Sequence, residues 1–129
     1  YEGLFPEFTR SLAQQGAHFL ANVTNDSWFG YPFEPRQHMI MTFARGIEVR
    51  RPVIRATNTG ITSAMNADGK ILGLSPLHEP WTGLFSLSYR TDPYPTLWQL
   101  FGHLDWVLWL LILLVVIAKG ALNARPKSP

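Results

Sequence analysis

The residues best equipped for chemistry stand together in Thr24-Asn25-Asp26-Ser27-Trp28-Phe29-Gly30. This stretch joins an amide, a carboxylate and two adjacent aromatic rings. It comes after an apolar run, His18 to Val23, that has the length and bounds of a buried strand. Asn, Asp, Ser and Gly bond their own backbone or tolerate unusual dihedrals, so the stretch reads as a strand-end loop. Trp28 and Phe29 on such a loop call for a pocket, a partner or a substrate, unless the loop folds them back onto the core. Asp26 reads equally as a turn-stabilising acid. A second carboxylate, Glu2, is either solvated or close to a reacting group. The chain has no cysteine, so these residues supply neither a thiolate nucleophile nor a disulfide nor a thiolate metal site. His18, His38, His78 and His103 have no metal-ligand spacing. No phosphate-binding glycine loop and no Gly-x-Ser-x-Gly elbow occurs. No metal and no cofactor is expected.

The 129 residues allow one modest domain. The first residue is Tyr1, so the chain is expected to be a piece of a longer protein. A net charge of +2, without a basic run interleaved with aromatics, argues against nucleic acid.

The elements that must hold the loop can be placed by periodicity. Pro6 and Glu7 begin a helix in which Leu4, Phe8, Leu12 and Ala13 recur at helical spacing, with Gly16 as its stop. A strand is expected over 17–23. Pro35 opens a second helix, with Met39, Ile40, Phe43, Ala44 and Ile47 as its apolar stripe and Pro52 as its end. Arg45 and Glu48, three apart, form a surface pair worth a few tenths of a kcal/mol. Strands are expected over 53–57, 61–66, 70–74 and 82–89, the middle two joined at Asp68-Gly69. Helices between strands, then a hairpin, mean α/β with a mixed sheet.

Two prolines among Asp92-Pro93-Tyr94-Pro95 mark a linker. Beyond it, Trp106 to Ala118 is uncharged but only about 20 Å long at ~1.5 Å per residue. Extension to Leu104 and Leu122 gives roughly 28 Å, with Asp105 at one edge and Lys119 snorkelling at the other. Trp98, Trp106 and Trp109 lie where an aromatic belt would sit. One transmembrane helix is therefore expected over 97–122. Lys119, Arg125 and Lys127 place the C-terminus in the cytoplasm, and the α/β part on the other side.

Tyr1-Glu2-Gly3-Leu4-Phe5-Pro6-Glu7 resembles the segment just after the catalytic cysteine in the nitrilase, or carbon–nitrogen hydrolase, superfamily. Thr24 to Gly30 resembles the Asn-Asp-x-Trp-Phe-Gly motif of one branch, the apolipoprotein N-acyltransferases. Gln37-His38 and Arg45-Gly46-Ile47-Glu48 resemble that branch's next helix, and Arg55 to Thr62 its next strand and turn. The resemblance implies the C-terminal half of a nitrilase-like αββα sandwich followed by one transmembrane helix. It divides the chain into that domain over 1–90, a linker at 91–96, the membrane helix at 97–122 and a cytoplasmic tail at 123–129.

It also implies a Glu-Lys-Cys triad, none of which can be assigned here. The thiolate would take an acyl chain from a phospholipid donor as a thioester, then pass it to the amine of a diacylglyceryl-cysteine lipoprotein acceptor, splitting one transfer into two steps. In the branch's pattern Tyr1 matches the residue after the nucleophile, whose backbone N–H would help hold the oxyanion, and Glu2 an acid beside the triad. Asn25, Asp26, Trp28 and Phe29 match the substrate-binding loop. The bilayer is the implied third partner, and the bacterial inner membrane the implied location, with the catalytic domain periplasmic. Two other functions stay open: a fragment of an amidase or nitrilase, and a non-catalytic membrane-anchored remnant.

Overall fold

The computed structural model describes residues 2–30 and 33–123, and for residues 2, 103, 105 and 121–123 the backbone alone. It is a mixed α/β structure with one four-stranded sheet. A 3-10 turn, Glu2–Leu4, leads into α1, Pro6–Gln14. Pro6 needs no backbone partner in the first helical turn, and Gly16 takes φ of +93° beyond the last. β1, Leu20–Thr24, comes next, then α2, Phe33–Val49. Arg50, at φ +53°, turns the chain out of α2 before Pro52 is reached. β2 is Val53–Thr57, β3 Ser63–Met65 and β4 Ile71–Leu74.

The strand order is β1-β2-β3-β4. β1 and β2 run parallel, with α2 as their crossover, and the other two pairs are antiparallel. The expected mixed sheet is present. The turn before β4 is the expected one: Gly69 has φ of +90°, and its N–H bonds the Asn66 carbonyl at 3.0 Å.

The core is small and lies where α2 covers the sheet. Met39 and Phe43 meet Val53, Ile61 and Met65, with Leu20 and Leu77 against them. At Gly46 the helix comes so close that an added Cβ would lie 2.2 Å from Val53 Cγ2 and 2.9 Å from the Arg51 carbonyl oxygen. No side chain fits there.

Several expectations require correction. The buried face of α2 is Pro35, His38, Met39, Thr42, Phe43, Gly46 and Val49, whereas Ile40 and Ile47 are exposed. The apolar pattern pointed to the wrong sector because two polar residues, His38 and Thr42, belong inside. β1 is not a buried strand: its residues alternate between half-buried and exposed, with Val23 84% exposed. Among the described residues it has a neighbour on one side only and α2 on one face only. The Arg45–Glu48 pair is half-buried, not a surface pair, and Arg45 Nη1 also donates to the Leu4 carbonyl at 3.1 Å. Burial pushes the Glu48 carboxyl up, against the opposing pull of Arg45. The alternating stretch 82–89 forms no strand; Leu84 is fully exposed, and no edge among the described residues pairs with it.

Residues Tyr1–Gln99 and Leu100–Pro129 form two compact units. The start of α3, Leu97–Phe101, carries a reciprocal cap. Thr96 Oγ1 accepts the Gln99 N–H at 3.2 Å, and Gln99 Oε1 accepts the Thr96 N–H at 3.0 Å. The segment expected as one helix is broken by a 3-10 turn, Gly102–Leu104, before α4, Asp105–Asn123. From Trp106 to Ile117 the large apolar side chains of α4 are almost all exposed. Among the described residues no helix is long and apolar enough to cross a membrane. Asp105 and Lys119 bound the uncharged part to about 20 Å at ~1.5 Å per residue.

Candidate functional site

The site is built at the C-terminal ends of the parallel strands. β1 and β2 run side by side with Asn22 opposite Arg55. Both side chains point under α2, so the Arg55 guanidinium lies in the interior, 0% exposed. A buried cation needs acceptors on every side. Arg55 Nη1 donates to Asn22 Oδ1 at 2.6 Å and to Thr42 Oγ1 at 3.1 Å. Its Nη2 donates to Asp26 Oδ2 at 2.6 Å. Arg55 Nε has no partner among the described residues.

Asp26 is 1% exposed and receives a second partner at its other oxygen. His38 Nδ1 lies 3.0 Å from Asp26 Oδ1 and 3.2 Å from Arg55 Nη2. A guanidinium only donates and a carboxylate only accepts. The shorter, charge-assisted contact assigns the Nδ1 proton to the bond with Asp26. In the neutral ring that tautomer presents Nε2 as an acceptor. Burial pulls the His38 pKa below its ordinary value, Arg55 pulls the same way, and Asp26 opposes them. Burial also lowers the Arg55 pKa, against Asp26.

The loop after β1 is tied to the turn after β2. Asn58 Oδ1 accepts the Asp26 N–H at 3.0 Å, and Asn58 Nδ2 donates to Asn25 Oδ1 at 2.7 Å. Asn25 Oδ1 also accepts the Ser27 N–H at 3.0 Å. The Phe29 N–H bonds the Asp26 carbonyl at 3.0 Å, closing the turn. That turn lifts the two aromatics. Phe29 meets the His38 ring edge-on, with centroids 5.2 Å apart, and Trp28 meets Phe29 edge-on at 6.3 Å. They line a cavity of about 260 Å³ with Leu4, Thr24, Glu34, Gln37, His38 and Met41.

Of the residues singled out from sequence, the structure brings Trp28 and Phe29 to this cavity. Trp28 is 70% exposed and does not fold back onto the core. Asn25 and Asp26 do not line it; Asn25 braces the loop and Asp26 is sealed beneath it. Tyr1 lies outside the described residues, as do the Glu2 side chain and residues 124–129 of the tail. Arg55, His38 and Thr42 were missed as site residues. The signal for Arg55 was available: an arginine at an inward position of a strand, two residues from Val53, needs a buried acid. Among the described residues no group of His, Cys, Asp and Glu could hold a metal ion.

A strand-end cavity walled by aromatics, with His38 backed by the buried Asp26, can orient a small polar group. The carbon–nitrogen hydrolase family matches residues 1–86. The chain belongs to that family. Three of its relatives carry one name. An apolipoprotein N-acyltransferase of Bdellovibrio bacteriovorus is 56% identical over 127 residues, 98% of this chain and 23% of the relative. That of Geobacter metallireducens is 47% identical over 79 residues, 61% of this chain and 15% of the relative. That of Haemophilus ducreyi is 39% identical over 105 residues, 81% of this chain and 20% of the relative. The chain thus spans less than a quarter of the length of these relatives.

Proposed function

We propose that this chain is the C-terminal part of an N-acyltransferase. In this reading the enzyme moves a fatty acyl chain from phospholipid, through a cysteine thioester, to the N-terminal amine of a diacylglyceryl-cysteine lipoprotein. The observation that carries it is the 56% identity across 98% of the chain with a relative of that name. The cavity fits the role: it sits at the strand ends, beside Leu4 of the segment that resembles the continuation of the nucleophile.

The cysteine is proposed directly before Tyr1, with the Tyr1 N–H toward the oxyanion and Glu2 beside the triad. Trp28 and Phe29 would contact substrate, and Asn25 and Asp26 would hold them in place. The sheet face opposite α2, with Ala21, Val23 and Ala56 exposed, is proposed to pack on the second sheet of an αββα sandwich. That face is apolar, as such a contact requires.

The isolated 129 residues, mixed with phospholipid vesicles and a diacylglyceryl-cysteine peptide, should transfer no acyl chain. The full-length protein should. Transfer by the isolated chain, or release of free fatty acid with none on the amine by the full-length protein, would overturn the reading; the second outcome favours an amidase-type hydrolase.

The membrane reading of α4 rests on its exposed apolar circumference. Its uncharged part, 106–118, reaches about 20 Å, so this reading requires Asp105 and Lys119 to extend to the headgroups at either end. The proposed location is the bacterial inner membrane, with the α/β domain periplasmic and the tail cytoplasmic. A periplasm-dependent reporter fused after Pro129 should stay inactive; an active one would reverse the orientation.

A further inference from the structure

A second cavity, of about 370 Å³, lies at the other end of the sheet from the Trp28 loop, where the chain turns into β2. Among the described residues its wall holds three arginines, Arg50, Arg51 and Arg90, against one carboxylate, Asp68, with two phenols, Tyr89 and Tyr94. Each group is held by its surroundings. Arg51 is buried, and its Nε and Nη1 donate to the Ala17 and Val49 carbonyls at 2.7 and 2.9 Å. Arg50 is exposed and keeps φ of +53°, a conformation an arginine adopts where the surrounding chain imposes it. Arg90 lies over the Tyr94 ring, its Cζ 5.1 Å from the centroid. Tyr89 stacks on His18 at 5.7 Å. Asp68 Oδ1 accepts the Lys70 N–H at 3.0 Å and so serves the hairpin turn.

Guanidinium groups gathered at one cavity repel one another, and an anion between them removes that cost. Their planar forks of donors match the oxygens of a phosphate. The wall also belongs to the segment that leads to α4. Thr96 Oγ1 donates to the Glu48 carbonyl at 2.6 Å, which ties the linker to the end of α2, just before Arg50. Tyr94 and Leu97 stand exposed on this linker and the first residue of α3. Exposed aromatic and aliphatic side chains beside arginines suit the headgroup level of a bilayer.

We propose that this pocket binds the phosphodiester of an anionic phospholipid in the leaflet that α4 enters, with Arg50, Arg51 and Arg90 around the phosphate. The proposal rests on the membrane reading of α4 and adds a lipid site separate from the cavity of Trp28 and Phe29. The lipid is held there by its phosphate and does not react. A glycerol headgroup suits the two phenols, which donate to and accept from its hydroxyls. A zwitterionic headgroup would bring its own cation toward the arginines, so the pocket should prefer phosphatidylglycerol to phosphatidylcholine.

The test uses the full-length protein in neutral detergent and lipids with ether-linked chains, which have no ester to transfer. Native mass spectrometry should show diether phosphatidylglycerol retained in preference to diether phosphatidylcholine. The double variant Arg50→Gln, Arg90→Gln should bind the anionic lipid on the order of 10-fold more weakly. It should bind phosphatidylcholine as wild type does and melt with wild type when no lipid is added. Asp68→Asn keeps the acceptor for Lys70 and the turn-forming residue type, and removes the opposing charge, so it should bind the anionic lipid several-fold more tightly. Unchanged binding in both variants would overturn the proposal. So would equal loss of both lipids, or a lipid-free melt of the double variant well below wild type, which would mean that the arginines hold another part of the protein. Inorganic phosphate that displaces the lipid completely at equal concentration would make this a site for free phosphate and overturn the lipid assignment. Release of the full-length protein from membranes by alkaline carbonate would instead remove the membrane reading on which the proposal rests.

Discussion

Arg55→Met is expected to lower the free energy of unfolding by about 3–5 kcal/mol, the range for removing one partner of a buried ion pair. Methionine fills much of the arginine's volume, so little of the loss is a cavity. The loss comes from the groups that stay behind. Asp26, 1% exposed, is left with the His38 N–H as its one side-chain partner among the described residues. Asn22 Oδ1 and Thr42 Oγ1 lose the donor that held them at 2.6 and 3.1 Å. Each buried polar atom so stranded costs about 1–3 kcal/mol. The double variant Asp26→Asn, Arg55→Met should be destabilised by less than the sum of the two singles, since each single leaves a charge that the double removes. Denaturation midpoints of the detergent-solubilised full-length protein measure all three. A loss below about 1 kcal/mol for Arg55→Met, or strict additivity, would mean that the pair is not sealed from water.

The same cluster sets a pH dependence. The His38 pKa in the folded protein lies below its unfolded value of 6.5, because burial and Arg55 disfavour the imidazolium more than Asp26 favours it. The unfolded chain therefore takes up the proton first as pH falls. The stability that neutral His38 contributes is present above 6.5 and is lost as pH falls from there toward the folded pKa.

These residues also show where the sequence was legible and where it was not. α1, the mixed sheet and the Asp68-Gly69 turn come from local chemistry: a proline at a helix start, glycines that accept positive φ, a period of two. The loop of Trp28 and Phe29 was legible for the same reason, since large rings on a polar loop have few places to go. Position 38 was not. Hydropathy ranks His38 and Thr42 as surface residues of α2, and so turns the helix toward Ile40 and Ile47. The residue that places them inside is Arg55, seventeen residues beyond His38 and on another element. A side chain whose partner is another polar side chain has no periodic signature. The misjudged strand at 82–89 has a different cause. Alternation marks a stretch that suits an edge, but it cannot say whether an edge is there to pair with.

Gly60→Ala is expected to cost about 1–3 kcal/mol as an overpacked site, and to lower transfer activity in the protein that still folds. Gly60 has no positive φ, so backbone strain is not the cause. Space is. A Cβ at Gly60 would stand 2.1 Å from Asp26 Oδ2 and 2.8 Å from its Cγ. Most carboxylates would swing aside. Asp26 cannot, because Oδ2 is held by Arg55 and Oδ1 by His38. Relief must come from the backbone, and the turn 58–60 is tied through Asn58 to the Asp26 N–H and to Asn25. Pushing that turn outward drags the loop that carries Trp28 and Phe29 away from His38, so the walls of the cavity separate. Gly30→Ala is the contrast. Its Cβ would meet Glu34 Oε2 at 3.0 Å, the far end of a side chain that can move, and should leave stability within about 0.5 kcal/mol. Thermal melts and transfer rates of the two variants, side by side, test the argument. A Gly60→Ala protein that melts with wild type and transfers at its rate would show that Asp26 is free to move, and with it that the buried triad of Asp26, His38 and Arg55 does not fix the loop.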